Sequence, residues 1–396
     1  MEKTIVINSG SSSLKFKLFA IPDEEVLASG LIERIGIEGS AITIKYGAGE
    51  KFTSQEDVSD HKIAVDRLLA LLEELGIVND LNEITAVGHR VVAGGEYFKT
   101  SAVIDDKVIE QIDEIADFAP LHNPANLMGI KAFKKVLPDA FSLAAFDTSF
   151  HQSIPEENFL YSIPYEWYEQ YGVRRYGAHG TSHRYVAQEA AKFLGKPLEE
   201  LKLITCHLGA GSSICAVKDG KSFDTSMGFT PLTGVTMATR SGDIDVALLN
   251  YVMDKLGIKS LDEMLYILNN KSGLLGISGV SPDMRDILAA KNDNKRAKLA
   301  LDIFVKNVVK YIGEYVAEMG GVDGIIFTAG IGENSVPVRQ MVMQRLAYLG
   351  ITCDDAANAA NEDGYIATKD SKVAVLKIST DEELMIARDV EAFRNK

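Results

Sequence analysis

Cysteine is scarce in this chain: Cys206, Cys215 and Cys353 are the only three in 396 residues. Three scattered thiols are too few for a disulfide framework or a zinc site, which points to a reducing, cytoplasmic setting. Also missing is any run near the roughly 18 apolar residues that cross a bilayer, so no membrane partner is expected. No signal-peptide pattern precedes the strand-like sequence that begins at Thr4. Basic excess is absent too. Forty-one Lys and Arg stand against 56 Asp and Glu, a net charge of −15, which argues against nucleic acid as a partner. That charge also repels anionic substrates at long range, so local cations would have to hold them within about 10 Å, the screening length. No low-complexity stretch or long linker appears, and the length predicts two domains.

What is present is a repeated turn. An apolar strand, Thr4-Ile5-Val6-Ile7, runs into Asn8-Ser9-Gly10-Ser11-Ser12-Ser13 and leaves through a second strand from Leu14 to Phe19. Small residues let the backbone approach an anion, and successive N–H groups form an anion-binding concavity. The pattern returns as Cys206-His207-Leu208-Gly209-Ala210-Gly211-Ser212-Ser213-Ile214, where Ser212 and Ser213 align with Ser12 and Ser13. A third glycine-rich turn, Ala329-Gly330-Ile331-Gly332-Glu333-Asn334, follows the strand-like stretch 324–328. Two matching lips and a later glycine turn suggest a duplicated fold that closes on a nucleotide. Alternating strand and helix patterns give an α/β class. Strands are expected at 86–92, 142–146, 202–208, 324–327 and 373–378, and helices at 65–75, 299–319 and 381–394.

Several polar residues stand where apolar strands end. Arg90 closes such a strand just before Gly94-Gly95; its planar fork suits a carboxylate or phosphate, or an ion pair that holds a loop. Arg240 lies in the small-residue loop Thr236-Met237-Ala238-Thr239-Arg240-Ser241-Gly242-Asp243, with Asp243 and Asp245 as alternative salt-bridge partners. Asp147 follows the strand 142–146, where α/β sheets place ligand chemistry or an Asx-turn. His122, His179 and His207 have no metal-ligand spacing and read as hydrogen-bond donors to anionic oxygens. Thr380-Asp381-Glu382-Glu383 fits a capping box with Thr380 as N-cap and Glu383 as its partner, which leaves Glu382 as the carboxylate for a divalent cation.

Taken together, these stretches resemble the acetate kinases, the acetokinase family of the acetate and sugar kinase, Hsp70 and actin superfamily. The matching residues span the chain: Val6–Lys15, 88–96, 119–124, 146–152, 175–183, 206–213, 224–245, 271–286, 327–335 and 380–388. The resemblance implies a duplicated ribonuclease-H-like (actin-like ATPase) fold with two domains and a central nucleotide cleft. Residues 1–150 plus 384–396 would form the acyl-substrate side, and 151–383 the nucleotide side. It implies reversible phosphoryl transfer between ATP and acetate, giving ADP and acetyl phosphate, with Mg2+ or alternatively Mn2+, by a homodimer.

Carried over residue by residue, the resemblance assigns Asp147, His179 and Arg240 to catalysis. Arg90, Val92, Leu121, His122 and Pro231 fall to the acyl substrate, and Asn8 and Glu382 to the metal. The nucleotide takes Lys15, His207, Leu208, Gly209, Ala210, Gly211, Asp283, Met284, Arg285, Gly330, Ile331, Gly332, Glu333 and Asn334. Two positions depart from the family pattern. Ala178 replaces a phenylalanine of the acyl pocket, which opens the alternative of a propionate or other short-chain acyl kinase. Ala210 replaces an asparagine, so the backbone N–H groups of Gly209 to Ser212 are expected to carry more of the phosphate.

Overall fold

The computed structural model describes residues 2–119 and 122–396; the Leu121 expectation lies outside them. By its packing the chain divides into two units, Met1–Phe150 with Asp381–Lys396, and His151–Thr380.

The first unit is built on an eight-stranded sheet. Its strands are β1 (Glu2–Ser9), β2 (Ser13–Ile21), β3 (Glu25–Glu33), β4 (Ser40–Tyr46), β5 (Glu50–Glu56), β6 (Ile84–Val91), β7 (Ala102–Val103) and β8 (Phe141–Phe146), in spatial order β5-β4-β3-β2-β1-β6-β8-β7. Strands β1 to β5 form an antiparallel meander, while β6 and β8 add parallel to β1. Strand β1 is covered on both faces, so its apolar residues run continuously instead of alternating. Ile5 and Ile7 pack with Leu14, Phe16 and Leu18 against Val65, Leu68 and Leu72 of the helix His61–Glu74. On the other face Val6 meets Ile386 and Ala387 of the helix Glu382–Arg394. Gly88 on β6 permits that approach, because a Cβ there would lie 2.6 Å from Ile386 Cγ2.

The second unit repeats the plan. Its strands are β9 (Lys202–Leu208), β10 (Ser212–Lys218), β11 (Lys221–Thr225), β12 (Gly324–Thr328), β13 (Gly364–Tyr365) and β14 (Ala374–Lys377), in the order β11-β10-β9-β12-β14-β13. Again three antiparallel strands (β11, β10, β9) are followed by two parallel ones (β12, β14), as β3, β2, β1 are followed by β6 and β8. This is the duplicated actin-like architecture. Ile204, Cys206 and Leu208 of β9 pack with Phe304, Val305, Val308 and Ile312 of the helix Lys295–Met319. That helix starts earlier than the expected 299, because Asn294 accepts the N–H groups of Arg296 and Ala297, and it ends at Gly320 in the left-handed region (φ 66°).

After β12 the third glycine-rich segment winds into a short helix, Ala329–Asn334, in place of an open turn. Arg339, fully buried, secures it. Its Nη1 donates to the carbonyls of Gly332 (2.9 Å) and Glu333 (2.6 Å), its Nε to Asn358 Oδ1 (2.7 Å), and its Nη2 to the Asn358 carbonyl and Asn361 Oδ1 (both 2.9 Å). Removing the guanidinium strands several buried acceptors, each costing about 1–3 kcal/mol. Arg339→Met is therefore expected to destabilise the protein by about 3 kcal/mol or more, read as a lower urea midpoint at unchanged m. A loss under about 1 kcal/mol would mean that water replaces the guanidinium at those carbonyls.

Candidate functional site

In the first unit the lip between β1 and β2 sets Asn8 opposite Lys15. Arg90, at the end of β6, makes a two-pronged bond to Asp147, which follows β8: Nε donates to Oδ1 (3.0 Å) and Nη2 to Oδ2 (2.5 Å). Asp147 is thus held by an arginine and does not merely end a strand. Glu382 Oε2 lies 3.8 Å from Arg90 Nε. Burial pushes the Glu382 carboxyl up to about 7, with Arg90 opposing and Asp147 and Glu383 reinforcing the rise. Two carboxylates thus share one guanidinium, and carboxylate oxygens are the donor type that a hard divalent cation takes.

The expected capping box is displaced by one residue. Asp381, not Thr380, caps the helix Glu382–Arg394 by accepting the Leu384 N–H (2.9 Å). Glu383 is released from capping and pairs with Lys15 (2.5 Å) and more distantly Lys17 (3.8 Å). These lysines outweigh burial and hold its carboxyl below the usual range.

The loop after Arg90 is fixed by two asparagines that no sequence motif marks. Asn126 accepts the Val92 N–H through Oδ1 (3.1 Å) and donates to the Ser9 carbonyl (2.7 Å), joining the lip to the loop. Asn123 binds both backbone groups of Ala93 (3.0 Å each). Both lie buried at i, i+3 on the helix Asn123–Val136, and two asparagines on one otherwise apolar face were the available signal. His122 stands at the N-cap position of that helix without capping it.

The second unit gathers histidines behind its lip. His179, with left-handed backbone (φ 63°), begins the helix Gly180–Leu194, and its ring stacks on His207 at 4.1 Å. His179 Nδ1 and His183 Nε2 both hydrogen-bond Ser213 Oγ (2.8 and 2.7 Å), and His183 Nδ1 bonds Thr205 Oγ1 (2.7 Å). His207 Nδ1 bonds Ser182 Oγ (2.8 Å). A Cβ placed on Gly211 would lie 3.4 Å from His179 Nε2 and 3.6 Å from Arg240 Nη1, so both groups converge on this glycine. Arg240 donates to the Pro231 carbonyl at 3.4 Å and approaches Met237 Sδ at 3.9 Å. The salt-bridge alternative is not realised: Asp243 accepts from Gly234 N and Tyr311 Oη, and Asp245 from Ala247 N. Among the described residues Arg240 has no carboxylate partner.

A cavity of about 570 Å3 brings together Gly209, Ala210, Asp283, Met284, Arg285, Gly330, Ile331 and Asn334 with the unanticipated Ala238, Leu288, Ser335 and Pro337. Of the other residues expected at the nucleotide, Lys15, His207, Leu208, Gly211, Gly332 and Glu333 are not among its walls. Arg285 pairs with Asp283 (2.6 Å). Within the lip the Gly209 N–H is bonded to the Gly211 carbonyl (3.1 Å). Ala178 is buried against Met227 and Met237.

A family model described as the acetokinase family matches residues 3–388. The chain belongs to the acetokinase family. It is a phosphotransferase of that family. An acetate kinase of Limosilactobacillus fermentum is 59% identical, with 100% of both chains covered. The crystal structure of Porphyromonas gingivalis acetate kinase matches at a TM-score of 0.95, 43% identity and 100% coverage of both. A propionate kinase of Francisella tularensis matches at 0.92 and 41%, covering 98% of this chain and 99% of that one. Among the described residues no helix is long and apolar enough to cross a membrane.

The buried histidines of this acetokinase fold are stored neutral. Burial pushes His89 down to about 3 and His151 to about 4, and it holds His183 well below the usual range. Unfolded, each takes up a proton below about pH 6.5. Their contribution to stability is therefore complete above that pH and is lost as pH falls toward 4, by up to about 1.4 kcal/mol per pH unit for each ring. Urea midpoints are expected to drop steadily between pH 6.5 and 4.5. A flat profile would mean that the rings are protonated in the folded protein.

Proposed function

We propose that the protein catalyses reversible transfer of the γ-phosphoryl group of ATP to acetate, giving acetyl phosphate and ADP by direct in-line displacement. The observation that carries this reading is the convergence at Gly211 of an imidazole nitrogen and a guanidinium that lacks a carboxylate. The adjoining lip residues Gly209 and Ala210 line the cavity that would take the nucleotide.

Acetate is ionised near neutral pH, since carboxylic acids of this kind have pKa values of about 4, and so needs no general base. The obstacle is electrostatic, because an anion must approach a triphosphate, and phosphoryl transfer is mostly positioning and charge neutralisation. Arg90 holds the acetate carboxylate. Asp147 orients its fork by occupying Nε and Nη2, which leaves Nη1 for the substrate. Val92, Leu121, His122 and Pro231 serve the acyl group. His179 and Arg240 receive the charge that develops on the equatorial phosphoryl oxygens. Asn8 and Glu382 are the residues that would hold Mg2+, with Mn2+ as a substitute of the same hard class. Bound there, the ion neutralises ATP phosphate charge. Lys15 and the glycine-rich walls of the cavity bind the nucleotide.

Ala178 lacks the ring that the family resemblance implies there and supports a propionate reading, but Met227 and Met237 close around it, and methionine adapts to irregular gaps. We therefore favour acetate. Exposed Ile244, Val246, Leu248 and Tyr251, with Leu261, Leu265 and Tyr266, support a homodimer that covers them. The paucity of cysteine supports a cytoplasmic location.

With Mg2+ and ATP, acyl phosphate trapped as hydroxamate should form from acetate with a kcat/KM at least about tenfold above propionate. Equal or better turnover of propionate would move the assignment to a propionate kinase, and no acyl phosphate from any acid would overturn it. Arg240→Ala should lower kcat on the order of 10³-fold while the protein stays folded. A loss under about tenfold would remove Arg240 from that role.

A further inference from the structure

Glu333 belongs to the glycine-rich segment, yet it does not line the cavity, and its carboxylate is engaged elsewhere. Oε1 accepts the N–H of Ala329 (2.8 Å), the hydroxyl of Thr328 (3.3 Å) and the N–H of Thr380 (3.0 Å). Thr380 is the last residue of the second unit, and Glu382 follows two residues later. The Thr380 hydroxyl is bonded in turn to Ser182 Oγ (2.8 Å), and Ser182 to His207 Nδ1 (2.8 Å). Thr380 is thereby fastened both to the segment that walls the cavity and to the histidine beside the lip.

That segment also needs an external hold. Ala329 has a left-handed backbone (φ 64°), uncommon for a residue with a Cβ and maintained only where the surroundings over-determine it. The carbonyl of Glu333 is clamped by Arg339 (2.6 Å) while its carboxylate reaches back to Ala329, so the residue is fixed at both ends. A shift of the helix Ala329–Asn334 must move the Glu333 carboxylate and, through it, the Thr380 amide.

We propose that Glu333 is a positioning residue: it ties the segment that walls the nucleotide cavity to the chain that delivers Glu382, so that an occupied cavity fixes the metal-side carboxylate. The inference rests on the nucleotide reading above. It goes beyond that reading by giving Glu333 a task directed away from the ligand.

The test uses the full chain with ADP as probe, comparing wild type with Glu333→Ala, Glu333→Gln and Glu333→Asp. Hydrogen–deuterium exchange is read over residues 329–335 and 376–385, alongside kcat and the ADP dissociation constant. In the wild type ADP should slow exchange in both regions. In Glu333→Ala the slowing should persist at 329–335, with ADP affinity within about threefold, but vanish at 376–385. There kcat should fall on the order of 10²-fold, the size of effect that a misplaced group has on a positioned reaction. Glu333→Gln keeps an acceptor oxygen and should recover at least tenfold of that loss. Glu333→Asp keeps the charge but not the reach, so it should behave like Ala and serves as the measurement if Ala fails to fold. Persistent slowing at 376–385 in Ala or Asp, or an unchanged kcat, would overturn the inference alone. Absence of slowing at 329–335 in the wild type would overturn the nucleotide reading and the inference with it.

Discussion

A guanidinium taken out of water costs several kcal/mol unless charges or acceptors replace its hydration. Arg240 is partly buried with a carbonyl at 3.4 Å and a thioether sulfur as neighbours, and the carboxylate nearest in sequence, Asp243, is committed to Gly234 and Tyr311. Burial accordingly lowers its proton affinity. An incoming anion would compensate that charge, and the lip at Gly211 is where the unmet charge and the His179 nitrogen meet. The first unit holds the opposite imbalance. Four carboxylates there face three cations: Asp147 and Glu382 share Arg90, while Asp381 and Glu383 draw on Lys15 and Lys17. A chain of net charge −15 thus keeps an unpaired cation in one unit and a surplus of carboxylates in the other.

Precise placement of these groups comes from neutral hydrogen bonds. Ser213 bridges His179 and His183, Ser182 holds His207, and Asn123 and Asn126 fasten the loop that follows Arg90. His183 and His207 are buried, so their bonds are made without water competing, which favours one ring orientation over the alternatives. Small hydroxyl and amide side chains suit this work because they act at short range and carry no charge to disturb the cations they support.

The sequence is most legible where chemistry interrupts a pattern. The lips stood out because glycine and serine break apolar strands, and Arg90 and Asp147 because a charge at the end of such a strand needs a reason. The topology followed from the repeat. Features decided by competition between neighbours were harder. Thr380 and Asp381 are both competent N-caps; the structure gives the role to Asp381, which releases Glu383 to the lysines. Asn123 and Asn126 carry no motif, and their task shows only once the helix is set beside Ser9, Val92 and Ala93. Likewise Ala178 reads as lost volume until Met227 and Met237 are seen around it, since their partnership joins residues from distant segments.

The order of segments along the chain bears on how the molecule is made. The second unit is one uninterrupted stretch, His151–Thr380, whereas the first is completed by residues from Asp381 onward. Ile386 and Ala387 cover Val6, and Val390 covers Ala86 and Leu143, so one face of the first sheet stays bare until that helix has been synthesised. On a ribosome, the sheet that begins the chain must therefore wait with exposed apolar strands while the later unit emerges and folds. The part of the protein made first is the last that can be finished.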